Sequence, residues 1–306
     1  MASPPHQPPR IFDRALLRRR RDRAAARGTD ADHDFLFREA GERLSDRLDD
    51  VTRRFPMALD LGCRDGGLAR LLQGRGGIET LVQADLSAAM LRRARRHGPV
   101  VQLDDEALPF RAEAFDLILA NLGLHWANDL PGVLLQIRHS LKPDGLFLGA
   151  MFGVGTLQEL RTVLMEAEIA ETGGGSARVS PFADLRDAAG LLQRAGFALP
   201  VADLETVTVT YPDLPALLQD LRGMGESNLL LARLKRPTRR AVLAHAAALY
   251  RERFSDTDGR LVATFRLIFI TGWAPHDSQQ QPARRGSGKI DLGVALGSNQ
   301  ARDRSR

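Results

Sequence analysis

The chain has almost no cysteine, Cys63 being the single one in 306 residues. One thiol forms no internal disulfide and no multi-cysteine zinc or iron-sulfur site. Cys63 itself, beside a glycine turn, is expected to be small filler and not a nucleophile. No apolar run approaches the roughly 20 residues that span a bilayer, and no signal-peptide core follows the start, so a transmembrane segment is not expected. Two phosphate-binding signatures are also missing. There is no G-x-G-x-x-G after a strand and no glycine loop ending in Lys-Ser/Thr, which argues against a nicotinamide or flavin dinucleotide and against a nucleoside triphosphate.

Charge is present in excess, at a formal +5, but much of it sits at the two ends. Arg10, Arg14, Arg18, Arg19, Arg20, Arg21, Arg23 and Arg27 form one cluster, and Arg284, Arg285, Lys289, Arg302, Arg304 and Arg306 the other. Such runs are expected to be solvated faces or tails, with no specific nucleic-acid partner, and they are compatible with an acidic protein or a membrane surface.

The stretch around which the chain is organised is Met57-Ala58-Leu59-Asp60-Leu61-Gly62-Cys63-Arg64-Asp65-Gly66-Gly67. Ala58, Leu59 and Leu61 suit a buried parallel strand, Gly62 permits close backbone approach, and Leu68, Leu71 and Leu72 continue at helical spacing. This strand, turn and helix start resembles motif I of the class I S-adenosylmethionine-dependent methyltransferases, D-x-G-x-G-x-G, with Arg64 in place of the middle glycine.

Downstream, Leu81 to Asp85 reads as a second strand ending in an acid, placed to accept hydrogen bonds from two ribose hydroxyls. Ser87 could share Asp85's alternative role as cap of the helix from Ser87 to His97. Val100 to Leu103 is a third strand. In the methyltransferase pattern an acid just after it takes the adenine amino group, which implies Asp104, with Asp105 as fallback. Phe115 to Asn121 is a fourth strand, and Asn121 at its end faces the ligand's reactive part. Leu124-His125-Trp126 follows, then a helix from Leu130 to Leu141 and a fifth strand from Leu146 to Met151. Before the first strand a basic helix is expected over Ile11 to Ala26 and an amphipathic one over Asp34 to Phe55, with Phe35, Leu36, Leu44 and Leu48 buried. After Gly153 come helices at Thr156 to Glu171 and Phe182 to Ala195, strands at Val201 to Tyr211 and Ala263 to Thr271, and between these strands helical segments around Pro215 to Leu221 and Leu234 to Phe254.

The expected fold is therefore α/β, a doubly wound Rossmann-like class I methyltransferase fold with a mostly parallel seven-stranded sheet and a helical insertion. The expected parts are a helical cap at 1–55, a cofactor-binding core at 56–153, a C-terminal part with the insertion at 154–273 and a disordered tail at 274–306.

A closer resemblance rests on further segments. Ile11-Phe12-Asp13-Arg14-Ala15-Leu16, the run from Leu124 to Pro131, Leu141-Lys142-Pro143-Asp144-Gly145, Gly149 to Gly153, Gly223-Met224-Gly225-Glu226-Ser227-Asn228 and Ala283 to Ser287 are similar to mitochondrial complex I assembly factor 5 and its bacterial relatives. The match at Ile11 leaves little room for a transit peptide, so a bacterial, cytoplasmic member is expected, at most resting on the inner face of the membrane. The resemblance implies S-adenosylmethionine as cofactor, held by Asp60, Gly62, Gly66, Asp85, Asp104 and Asn121. It also implies a protein partner, an iron-sulfur-carrying subunit of respiratory complex I. The mitochondrial member is associated with arginine hydroxylation, and a more distant relative methylates malonyl-acyl carrier protein.

Methyl transfer needs alignment and desolvation and no fixed triad, so the residues alone rank it above hydroxylation. Hydroxylation commonly uses a two-histidine, one-carboxylate triad, and none of the seven histidines shows H-x-D/E spacing. His125 stands as general base or structural histidine, and Trp126 as substrate wall or packing. A non-catalytic assembly chaperone is the rival class, motivated by Arg64, whose side chain could crowd the cofactor, and a small-molecule methyltransferase, including the malonyl-carrier-protein type, is the third alternative.

Overall fold

The computed structural model describes residues 10–27 and 33–280. The expectations for the first nine residues and for Ala283 to Ser287, with the basic cluster from Arg284 onward, lie outside them. The chain divides after Pro275 into two compact units, and every element below belongs to the first.

Seven strands form one sheet: β1 (Met57–Leu61), β2 (Thr80–Asp85), β3 (Val100–Gln102), β4 (Phe115–Asn121), β5 (Leu141–Phe152), β6 (Ala198–Tyr211) and β7 (Leu261–Trp273). Their order is β3-β2-β1-β4-β5-β7-β6, with the first five parallel and β7 antiparallel to both β5 and β6. The order reverses at β1 and β4. Ligands of doubly wound sheets bind at the carboxyl ends beside such a switch point.

Both faces of β1, β4 and the later part of β5 are buried among apolar residues, while β2 is half-buried over its first three residues and the edge strand β3 is half-buried to exposed. Successive residues on a strand point to opposite faces, so Ala58, Leu117, Leu146 and Leu148 enter one core while Leu59, Ile118 and Phe147 enter the other. On the first face lie α2 (Phe35–Asp49), α6 (Gln158–Thr172), α8 (Leu214–Gly223) and α9 (Arg240–Arg253); on the second, α5 (Leu130–Ser140) and α7 (Leu185–Arg194). The short α3 (Gly67–Leu71) and α4 (Ala88–Ala94) follow β1 and β2.

The N-terminal α1 (Arg14–Arg27) packs against α4, with Ala24 and Ala25 on Met90. Its start is tied to a distant segment, because Phe12 bridges Leu230 and the Asp13 amide donates to the Leu229 carbonyl at 2.9 Å.

Two helices are shorter than their periodicity suggests. α2 ends at Asp49, not Phe55, because Phe55 precedes Pro56 and is pushed out of the helical region, and its ring then fills the core at 1% exposure. α9 starts at Arg240 and not Leu234, after Pro237.

Leu44, on α2, is completely buried between that helix and the sheet. Leu44→Ala should lower the unfolding free energy in urea by about 2–5 kcal/mol. A loss well below that range would show that α2 is not part of the sheet's core.

Candidate functional site

The turn after β1 is built as the motif requires. Gly62 and Gly66 have φ of +78° and +84°, and a Cβ at Gly66 would lie 2.7 Å from Gln83 Oε1. Arg64, where the motif has glycine, also takes a left-handed φ of +54°, which costs a non-glycine residue about 1–3 kcal/mol. Its side chain offsets this outside the turn. The guanidinium stacks 3.8 Å over the Phe37 ring and donates to the Met224 carbonyl at 2.7 Å. Cys63 is buried, and burial foremost raises its thiol well above the ordinary value, as suits inert filler.

Above this turn a cavity of about 90 Å³ is lined by Asp60, Gly62, Arg64, Phe37, Met90 and Asn121, among others. Asp60 is fully buried, and neither carboxyl oxygen has a hydrogen-bond partner. Burial, with the charges of Asp85 and Asp65, raises its carboxyl to about 8. Asn121 spends its amide N–H on the Phe37 carbonyl at 2.8 Å and leaves Oδ1 unpaired. Three oxygens without hydrogen-bond partners thus line one small cavity.

The other two acids are compensated by α1. Arg14, Leu17, Arg21 and Ala24 share one helix face, and that face is turned inward. Arg21, 1% exposed, donates from Nη1 to Asp85 Oδ2 at 2.9 Å, and the same oxygen accepts the Arg64 amide at 3.1 Å. Asp85 Oδ1 accepts the Ser87 amide at 2.7 Å, while the Ser87 hydroxyl oxygen caps α4 by accepting from Met90 at 3.1 Å. Arg14 pairs with Asp104 at 2.6 Å and with Asp105. The expectation of a solvated basic face therefore fails for Arg14 and Arg21: a buried acid at a strand end needs a cation, and this helix supplies two.

His125 and Trp126 converge on a residue far away in the chain. Glu226 accepts Trp126 Nε1–H at 2.7 Å and lies 3.2 Å from His125 Nε2, on its Oε2, while Arg64 Nη1 is 3.6 Å from Oε1. Burial raises the Glu226 carboxyl, but the His125 hydrogen bond and charge and the charges of Arg64 and Arg21 outweigh it, leaving it below the ordinary value. His125 is packed among Trp126, Phe152 and Phe182. Trp126 stacks edge-on with Phe12, 5.3 Å between centroids.

Trp126 and Glu226 also line a second cavity, of about 700 Å³, whose walls include Phe152, Leu160, Phe182 and Leu218. The Arg64–Glu226 pair thus stands between the two cavities. Among the described residues, no three His, Cys, Asp or Glu side chains converge as a metal-ligand set, and no helix is long and apolar enough to cross a membrane.

Residues 59–149 match the methyltransferase domain family. A mitochondrial arginine-hydroxylase NDUFAF5 from Danio rerio is 42% identical over 285 residues, covering 92% of this chain and 88% of the relative. The chain belongs to the NDUFAF5 family. The Homo sapiens NDUFAF5 is 43% identical over 286 residues, 92% of this chain and 82% of that one. A malonyl-[acyl-carrier protein] O-methyltransferase from Halorhodospira halophila is 34% identical, over 92% of this chain and 95% of its own. Among solved structures, a putative methyltransferase from Bacillus halodurans aligns with a TM-score of 0.55 and 15% identity over 78% of this chain and all of that one, a likeness of fold.

Sequence reasoning missed Arg14, Arg21, Phe37 and Glu226 as parts of the site. The i, i+7 spacing of Arg14 and Arg21 around Leu17 was the available signal for the helix. Glu226 had none beyond its place in the Gly223–Asn228 segment.

Asp60 carries a pH signature. The folded protein keeps its proton up to about pH 8, whereas the unfolded chain releases it near 3.8, so the stability it contributes is full below about pH 4 and is lost as pH rises toward 8. The urea unfolding free energy of the native chain minus that of Asp60→Asn should therefore fall by a few kcal/mol between pH 5 and pH 8.5. A difference independent of pH would contradict the buried, uncompensated carboxyl.

Proposed function

We propose that the chain is an S-adenosylmethionine-binding enzyme that modifies an arginine of a protein substrate during assembly of respiratory complex I, the substrate being an iron-sulfur-carrying subunit. The observation that carries this is the placement of Glu226. Its Oε1 is buried without a hydrogen-bond partner, on the wall shared by the turn-side cavity and the 700 Å³ cavity. A guanidinium entering from the large cavity finds an acceptor there, next to the cofactor side.

The residues over the turn fit the cofactor. Asp60 and Asn121 offer three unpaired oxygens, all of them acceptors for the amine of the methionine moiety once Asp60 gives up its proton. Gly62 and Gly66 let the backbone approach, Asp85 takes the ribose and Asp104 the adenine amino group. The last two roles require α1 to share or release its acids, since Arg21 and Arg14 hold them in this conformation. When bound, S-adenosylmethionine supplies an activated methyl group at the end of β4. Glu226 orients the substrate guanidinium, Trp126 walls it off from water, and His125 holds the Glu226 carboxyl in place.

Hydroxylation is the reaction first favoured, because the relatives 42–43% identical across 92% of the chain are named arginine hydroxylases; it would take its oxygen atom from dioxygen and two electrons from a reductant brought from outside the chain, the second oxygen leaving as water. Methyl transfer is the second, favoured by the turn and its acceptors. The non-catalytic chaperone rests on Arg64, whose guanidinium lies over Phe37 and with it lines the turn-side cavity, and it stands as the third reading.

Peptide mapping of complex I subunits from strains with and without the gene separates these. A gain of about 16 mass units on one arginine is expected, while about 14 would select methylation, both being covalent changes to the chain. No mass difference on any subunit would overturn the enzymatic reading.

A further inference from the structure

The large cavity is unbalanced in charge. Six cations line it, Arg20, Arg178, Arg222, Arg233, Lys235 and Arg236, against Glu226 as its one carboxylate. Two of them are neutralised close by, Arg178 by Glu168 at 2.5 Å and Arg233 by Asp13 at 3.2 Å. Arg222, Lys235 and Arg236 are exposed and make no ion pair among the described residues. Arg20 lies deeper, with Nη1 buried and without a hydrogen-bond partner, and burial foremost lowers its guanidinium to about 10. A buried donor left unmade is costly, and a charged one more so, which makes Arg20 a vacant seat for an anion.

We propose that the mouth of this cavity docks an acidic polypeptide segment of the substrate, with Arg20 taking one carboxylate and Arg222, Lys235 and Arg236 the flanking ones. The inference rests on the protein-substrate reading above and adds the charge context of the modified residue. Below the cationic mouth the walls are phenyl and aliphatic, from Phe152, Phe182, Leu160 and Leu243. A concavity of this kind admits side chains, whereas a headgroup plane would meet only its rim. The order of charge, cations outside and Glu226 inside, suits an arginine carried among acidic neighbours and disfavours one among lysines.

Fluorescence anisotropy with the full chain tests this. Three labelled peptides are compared: one arginine among glutamates, the same arginine among glutamines, and the glutamate peptide with alanine for arginine. The glutamate peptide should bind about tenfold or more tightly than the glutamine one, with a gap that narrows as salt is added. Combined Arg222→Ser, Lys235→Ser and Arg236→Ser should cost about tenfold. Arg186→Ser with Arg194→Ser, exposed on α7, should cost nothing. Arg20→Met should weaken binding at an unchanged unfolding midpoint, and if it fails to fold the triple variant carries the test. Equal affinity for the glutamate and glutamine peptides would overturn the proposal. So would binding to phosphatidylserine vesicles but to no peptide, which would make the rim a membrane face. Glutamate dependence that survives the loss of arginine would uphold the docking surface and sink the arginine reading.

Discussion

Acids collected at the dry carboxyl ends of parallel strands need compensation, and the arrangement of this protein follows from how each one receives it. A buried carboxylate without a partner is unstable, so Asp85 and the Asp104–Asp105 pair hold α1 in place through Arg21 and Arg14. The N-terminal helix is thus tied to the strand ends by these ion pairs. Asp60, at the centre of the same row, receives nothing from the protein and keeps its proton instead.

One network joins the parts that a transfer reaction needs together. Arg64 leaves the cofactor turn for Phe37, Met224 and Glu226, Glu226 holds His125 and Trp126, and Trp126 packs on Phe12, which is bridged to Leu230. The segment after α8 therefore links the turn after β1, the 700 Å³ cavity and the start of α1. Replacement of the motif's middle glycine by Arg64 fits this network: the backbone keeps the conformation glycine would take, and the side chain becomes a wall between two cavities.

The sheet was legible because buried parallel strands announce themselves as apolar runs that close on a polar residue, Asp60 near the end of Met57–Leu61, Asp85 at the end of Thr80–Asp85 and Asn121 at the end of Phe115–Asn121. That Asp60, Gly62 and Asn121 lie together was legible for the same reason, since they fall at the ends of β1 and β4 beside the switch point and line one cavity. What the sequence concealed were pairings across long separations. Arg21 and Asp85 are 64 positions apart and Trp126 and Glu226 are 100 apart, so no local pattern records them. Arg14 and Arg21 were hidden further by their arginine neighbours, because a run of one charge reads as a wet surface even when two members face inward. Helix ends were misjudged where a proline, Pro56 or Pro237, overrode an otherwise continuous periodicity.

Asp60 stands without a partner in this structure, and in the function proposed above the cofactor's amine supplies one. Isothermal calorimetry of S-adenosylhomocysteine binding at pH 7, repeated in buffers of different ionisation enthalpy, tests it most directly. Asp60 gives up its proton when an ammonium arrives, so the native chain should release nearly one more proton per bound ligand than Asp60→Asn. Binding with the same proton count in both proteins, or no binding to the native chain, would contradict the claim.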